Sequence, residues 1–173
     1  GTIVFENNEA HSDTIVGIEF SPDGRHIACA STDRFVRIFD AVEGKEVAAF
    51  EGHTSHVLDV AWRADGLVLA SAVGDKVIKL WDFEGRKQLT TEQGFGKEVT
   101  SVDFLGASDA FLASSGDASV RINQERLGGP DAYAHRSKSD AAGRLIVSGD
   151  QNSTLRVWRA SDKKLLWTFQ AVE

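Results

Sequence analysis

The stretch GDKVIKLWD, Gly74 to Asp82, has three weaker copies in the same chain: TDRFVRIFD at Thr32 to Asp40, GDASVRIN at Gly116 to Asn123, and DQNSTLRVW at Asp150 to Trp158. Each opens on polar turn residues, continues with alternating apolar and polar side chains, and closes on a bulky residue or its replacement. Alternation with a period of two marks a half-buried strand. A segment repeated this often is architecture before it is chemistry.

Aligning Ile38, Leu80, Ile122 and Val157, each preceding the closing residue, gives intervals of 42, 42 and 35 residues. Upstream, Asp23-Gly24, Asp65-Gly66 and Ala142-Gly143 fall at matching places. So do Cys29, Ser71 and Ser148, and the turn residues Asp33, Asp75, Asp117 and Asn152. A unit of this length lies in the range of a four-stranded propeller blade, roughly 40–45 residues. In the second copy, Val57 to Trp62, Leu67 to Ala72, Val77 to Trp81 and Lys87 to Thr91 read as four strands joined by tight turns. No window carries helical spacing.

On these residues the second copy, from Gly52-His53 to Trp81-Asp82, resembles the WD-repeat family of β-propellers. The first copy is similar: Ala10-His11 stands in the Gly-His place, Ser21-Pro22-Asp23-Gly24 in the turn, and Phe39-Asp40 in the Trp-Asp place. The fold expected is all-β, a β-propeller of four WD-type blades, each a four-stranded antiparallel sheet. The expected layout is the outer strand of a preceding blade within 1–10 (Thr2 to Phe5), then blades at 11–52, 53–94, 95–129 and 130–173. The third copy ends on Ile122-Asn123 and has no His near Gly96-Lys97, and the last interval is seven residues short. Its outer strand is therefore expected to be lost. The fourth inner strand should be Ala134 to Ser139, AHRSKS, which is too polar for a strand beside a propeller channel. Residues 124–142 are expected to be the least regular part of the fold.

His53, Ser71, Asp75 and Trp81 hold the ingredients of a hydrolase triad. No Gly-x-Ser-x-Gly elbow accompanies Ser71, and a nucleophile needs exposure and an oxyanion hole. The resemblance implies instead that these four form a buried hydrogen-bonded network within one blade, with His53 between Asp75 and Ser71. Buried polar groups that satisfy one another specify a single arrangement. Partial networks are expected at His11 with Asp33, at Asp117, and at Ser148, Asn152 and Trp158. Asp117, alone in its unit, is expected to matter less than Asp75.

His53 and His56 lack the cysteine or carboxylate cluster that a metal site needs. Neither a metal nor a cofactor is expected, and no phosphate-binding loop occurs. Cys29, the single cysteine, lies in the apolar run IACAS and reads as a buried structural thiol. A formal net charge of −7 opposes a nucleic-acid-binding or anionic-membrane face. With no apolar run long enough to span a bilayer and no secretory signal, the chain is expected in the cytoplasm. There is no Met, even at position 1, so it reads as a piece of a larger product.

The function expected is non-catalytic binding of a protein or peptide. The resemblance places the binding face on Ser12, Thr14, Thr32, Thr54, His56, Gly74, Glu98 and Gly116. Propellers close with four to eight blades. Four blades at about 50° each cover little more than half a circle. A homodimer closing one eight-bladed ring is therefore also expected, in which the chain's main partner is a second copy.

Overall fold

A computed structural model describes residues 10–170. Among them lie sixteen strands and no helix, grouped into four antiparallel sheets of four strands in chain order. Blade 1 holds β1 (Ile15–Phe20), β2 (His26–Ser31), β3 (Val36–Asp40) and β4 (Glu46–Phe50). Blade 2 holds β5 (Val57–Trp62), β6 (Val68–Val73), β7 (Ile78–Asp82) and β8 (Lys87–Glu92). Blade 3 holds β9 (Val99–Phe104), β10 (Phe111–Ser115), β11 (Ser119–Ile122) and β12 (Glu125–Arg126). Blade 4 holds β13 (Ala134–Ser139), β14 (Leu145–Asp150), β15 (Thr154–Arg159) and β16 (Lys164–Gln170). The strand expected at Thr2 to Phe5 lies outside the described residues.

The repeat in sequence is a repeat in register. Ser71 faces Lys79, and Cys29, Ala113 and Ser148 face Arg37, Arg121 and Arg156 at the same point of their blades. The tight turns that return the inner strands carry Gly24 and Gly66 at φ 72° each, a left-handed conformation that suits glycine.

Each inner strand packs against the next: β1 on β5, β5 on β9, β9 on β13. The core therefore lies between blades, in three clusters. Ala28, Ile38 and Phe50 meet Val60, Leu69 and Trp81. Ala70 and Ile78 meet Val102, Phe104 and Phe111. Leu112, Ile122 and Leu127 meet Ile146 and Trp158. Each fully buried side chain of this size stabilises the stack by about 1.5–3 kcal/mol. The stack is an open arc. Val16, Ile18 and Phe20 stay exposed at one end, and Leu155, Trp167 and Phe169 at the other.

Two expectations are corrected. The outer strand of blade 3 is cut to two residues rather than lost, and the buried Leu127 follows it into the core. AHRSKS is a regular six-residue strand paired with β14 from Ala134–Asp150 to Ser139–Ile146. Its polarity is answered by blade 3. The Ser137 amide donates to Ser101 Oγ at 3.0 Å, and the Ser139 amide donates to an Asp103 oxygen at 2.9 Å.

Gly17 sets how closely blades 1 and 2 approach. A Cβ there would lie 3.0 Å from the Asp59 Cα and 3.1 Å from its Oδ1. Gly17→Ala is expected to destabilise the protein by about 1–3 kcal/mol in chemical denaturation, because backbone has to shift. Gly149→Ala, which meets nothing within 4 Å, should be close to neutral. Equal midpoints for the two variants would show that β1 does not sit this close to β5.

Candidate functional site

The turn between the second and third strand of blades 1, 2 and 3 carries the acidic residue seen in the repeat. Its carboxylate staples the loop before the inner strand. The amides of Ser12, Thr54 and Gly96 donate to Asp33, Asp75 and Asp117 at 3.1, 3.3 and 2.8 Å. In blade 4 the turn position is Asn152, and Asp150, two residues earlier, holds its own turn instead, its Oδ1 accepting from the amides of Asn152 and Thr154.

Behind the staple each blade uses different chemistry. In blade 2, His53 Nε2 lies 2.8 Å from Ser71 Oγ, and Trp81 Nε1 donates to the same oxygen at 2.8 Å. Ser71 must place its own hydrogen, and His53 is nearer than the Lys79 carbonyl at 3.4 Å. Ser71 thus ties the imidazole Nε2 and the indole together, leaving Nδ1 as the ring nitrogen available to Asp75. The expected bond from there to Asp75 does not form. His53 Nδ1 and Asp75 Oδ1 are both buried without partners. The other carboxylate oxygen, Oδ2, accepts the Thr54 hydroxyl at 2.6 Å. Burial pushes His53 down to about 4, against the raising influence of Asp75.

Blade 1 makes the other half of the network. His11 Nδ1 lies 2.9 Å from Asp33 Oδ2, while its Nε2 has no partner because Cys29 replaces the serine. Burial pushes the Cys29 thiol up to about 11, so it is protonated and inert at neutral pH.

Blades 3 and 4 replace the histidine network with buried arginines. Arg121 donates from Nη2 to Asp117 at 2.8 Å, from Nε to Ser119 at 3.0 Å and from Nη1 to the Gly94 carbonyl at 3.1 Å, and it lies over the Phe95 ring. Arg126 adds a second guanidinium to Asp117 at 3.0 Å. Burial would raise Asp117, but Ser119, the Gly96 amide and the two arginines hold it below the usual carboxylate range. Arg156 pairs with Asp150, and with Asp131 at 2.8 Å. Ser148, Asn152 and Trp158 are not joined to one another: Trp158 Nε1 donates to the Gly128 carbonyl at 2.9 Å. The signal for the arginines was present in the sequence. Arg37, Lys79, Arg121 and Arg156 put a basic residue at one register position in every copy.

The eight loop-face positions fall at equivalent places. Thr32, Gly74 and Gly116 donate their amides to the carbonyls of Thr14, His56 and Glu98 at 3.0, 2.9 and 3.0 Å. Ser12 and Thr54 sit beside them on the carboxylate staples. Blade 4 extends the series with residues that the sequence reading missed: Gln151 donates to the Tyr133 carbonyl at 3.0 Å. The Tyr133 hydroxyl donates to Glu98 at 2.7 Å. That bond leads the causes holding Glu98 low, while burial and then Glu98 push Tyr133 up to about 12. Between blades 3 and 4 this face opens into a cleft of about 520 Å³ lined by Lys97, Asp131, Tyr133 and Gln151.

The axis of the arc gathers charges far apart in sequence. Arg136 reaches the buried Asp59 at 3.2 Å, and Lys138 lies 3.2 Å from Asp103 and 3.6 Å from Glu19. Burial raises Asp59 and Glu19; it would lower Lys138, but Asp103, Glu19 and Asp59 outweigh it. Among the described residues no group of His, Cys, Asp or Glu is arranged to hold a metal.

Residues 3–40 and 44–82 match the family model described as WD domain, G-beta repeat. A solved structure of U3-55K superposes with a TM-score of 0.86 at 25% identity, over 94% of this chain and 54% of that one. A crystal structure of RRP9 WD40 repeats gives 0.85 at 25% identity, over 92% and 52%. The chain thus spans about half the length of these solved chains. No curated protein matches it in sequence.

The contacts reverse the expected order of the turn aspartates. Asp117→Ala leaves the buried Arg121 uncompensated and should cost about 3–5 kcal/mol. Asp75→Ala removes bonds to Thr54 and should cost about 1–3 kcal/mol. Urea unfolding ranks the two, and a larger loss for Asp75→Ala would overturn the assignment.

His53 also sets a pH dependence. The unfolded chain protonates it near pH 6.5, the folded protein only at about 4. Between these values the unfolded state binds more protons, so His53 makes stability fall as pH drops through that window, by about 2–3 kcal/mol. Subtracting the profile of His53→Gln should isolate this slope. Parallel profiles would mean that His53 is not held neutral.

Proposed function

From the premise that the chain belongs to the WD-repeat family, we propose that it is a non-catalytic scaffold that binds a protein or peptide on its loop face. The observation that carries this reading is the repeated bond from Thr32, Gly74, Gly116 and Gln151 to Thr14, His56, Glu98 and Tyr133. The backbone there is the same in four blades, while the side chains are a hydroxyl, an imidazole, a carboxylate and a phenol. A rigid frame with varied side chains suits recognition. Its polarity suits hydrogen bonds to a peptide backbone and to charged side chains.

A hydrolytic role for Ser71 is disfavoured by its surroundings. Ser71 is fully buried, and its oxygen already accepts the Trp81 indole hydrogen. The eight-bladed homodimer expected above would dock a second copy on the apolar side chains at the two ends of the arc, but the polar pairing of the inner strands, described below, opposes it. That homodimer requires a particle of twice 18.8 kDa in light scattering.

Peptide arrays probed with the chain should yield binders that are lost, at about tenfold or more in affinity, with His56→Ala combined with Tyr133→Ala. Thermal stability of that variant should change little at His56, an exposed loop residue. Binding unaffected by the double substitution would move the site off this face, and ester or peptide turnover abolished by Ser71→Ala would overturn the non-catalytic reading.

A further inference from the structure

Every described blade junction uses one device. An oxygen on the inner strand of one blade accepts from an amide on the inner strand of the next. Glu19 takes the Trp62 amide at 2.5 Å, and Asp59 takes that of Val102 at 3.2 Å. Ser101 takes the Ser137 amide at 3.0 Å, and Asp103 that of Ser139 at 2.9 Å. The receiving amides occupy only two register positions. Val102 and Ser137 are opposite Ala113 and Ser148; Trp62 and Ser139 are opposite Leu69 and Ile146. The device is needed because an inner strand has a neighbour on one side only, and its outward amides are otherwise unpaired in a closely packed axis.

In blade 1 the same two positions are Ile18, opposite Cys29, and Phe20, opposite Ile27. No oxygen reaches their amides from another blade among the described residues. Their side chains are 71% and 61% exposed, whereas Val102 is 0%, Trp62 6% and Ser137 1% exposed. The first blade is therefore built as a receiving face.

At the other end, the positions that should give oxygens to a following blade are Arg136 and Lys138, in register with Ser101 and Asp103. Arginine and lysine carry donors and no acceptor. They point back instead, to Asp59, Asp103 and Glu19. A ring closed by a second copy would set Arg136 and Lys138 against the amides of Ile18 and Phe20, donor against donor.

We infer that the open face of blade 1 docks a WD-type blade of another sequence, one whose inner strand presents Asp, Glu or Ser at the two receiving amides, and that a second copy of this chain is excluded there. The solved chains matched here are about twice as long as this one, so further blades beside this surface have a precedent in them.

Two measurements on the intact chain test this. First, light scattering compares wild type with Arg136→Ser combined with Lys138→Asp, which copies Ser101 and Asp103 into blade 4. Wild type should run at the mass of one chain, and the double variant at twice that mass. A dimeric wild type, or a folded variant that stays monomeric, overturns the inference. Second, should the variant fail to fold, amide exchange on the wild type decides. The amides of Ile18 and Phe20 should exchange on the order of a hundredfold faster than those of Val102 and Trp62. Equal protection at both sets of amides overturns it. Neither result depends on the loop face, so the scaffold reading stands or falls separately.

Discussion

The innermost strand of each blade has a free edge, and at the axis that edge is pressed against the neighbouring blade. Water has little access there, yet alternate amides point outward. The side chains of Glu19, Asp59, Ser101 and Asp103 solve this by accepting those amides from one blade to the next. Much of the axis follows from that requirement. Gly17 has no side chain because β1 must lie against Asp59. Blade 4 tolerates a polar inner strand because three blades before it supply carboxylates. Desolvation of these carboxylates is offset by amide and cation partners together, as buried charge requires.

Away from the axis, the blades share a shape but not a chemistry. In blades 1 to 3 the turn carboxylate is constant in position, in blade 4 it moves two residues back to Asp150, and the group behind it varies. A histidine bonds to aspartate in blade 1 and to serine with an indole in blade 2. An arginine over Phe95 serves in blade 3, and an arginine between two aspartates in blade 4. The steric demand is the same each time: fill the space behind the turn and leave few polar atoms unpaired. Blades 1 and 2 each leave a ring nitrogen without a partner. The arginine blades, with more donors to distribute, reach more acceptors. The degenerate third and fourth repeats are thus differently satisfied, not simply weakened.

The same repetition that stabilises the blades makes the loop face useful. Because a backbone bond holds each loop, the side chains there can change without disturbing the sheet. Thr14, His56, Glu98 and Tyr133 differ in size, charge and hydrogen-bonding capacity while their carbonyls do the same work.

How much was legible beforehand follows from the range of each interaction. Strands, turns and the period of the repeat depend on neighbours a few residues apart, and alternation together with Asp-Gly turns was enough to read four blades. The strands of blade 2 were read almost residue by residue. What failed depended on partners far along the chain. AHRSKS looked unfit for a strand because its acceptors lie 35 or more residues earlier, in Ser101, Asp103 and Asp59. The His53–Asp75 bond is expected from residue types, yet His53 Nδ1 and Asp75 Oδ1 both stay without partners while Thr54 takes the other carboxylate oxygen, an outcome set by local placement and not by residue type. The importance of Arg121 and Arg156 was written in the repeat, but only packing decides whether a long cation turns outward to water or inward to a carboxylate. The sequence by itself determined the repeat and the all-β blades, because periodicity is local. The tertiary structure alone decided which polar groups meet, because that depends on how blades converge on an axis that no single blade contains.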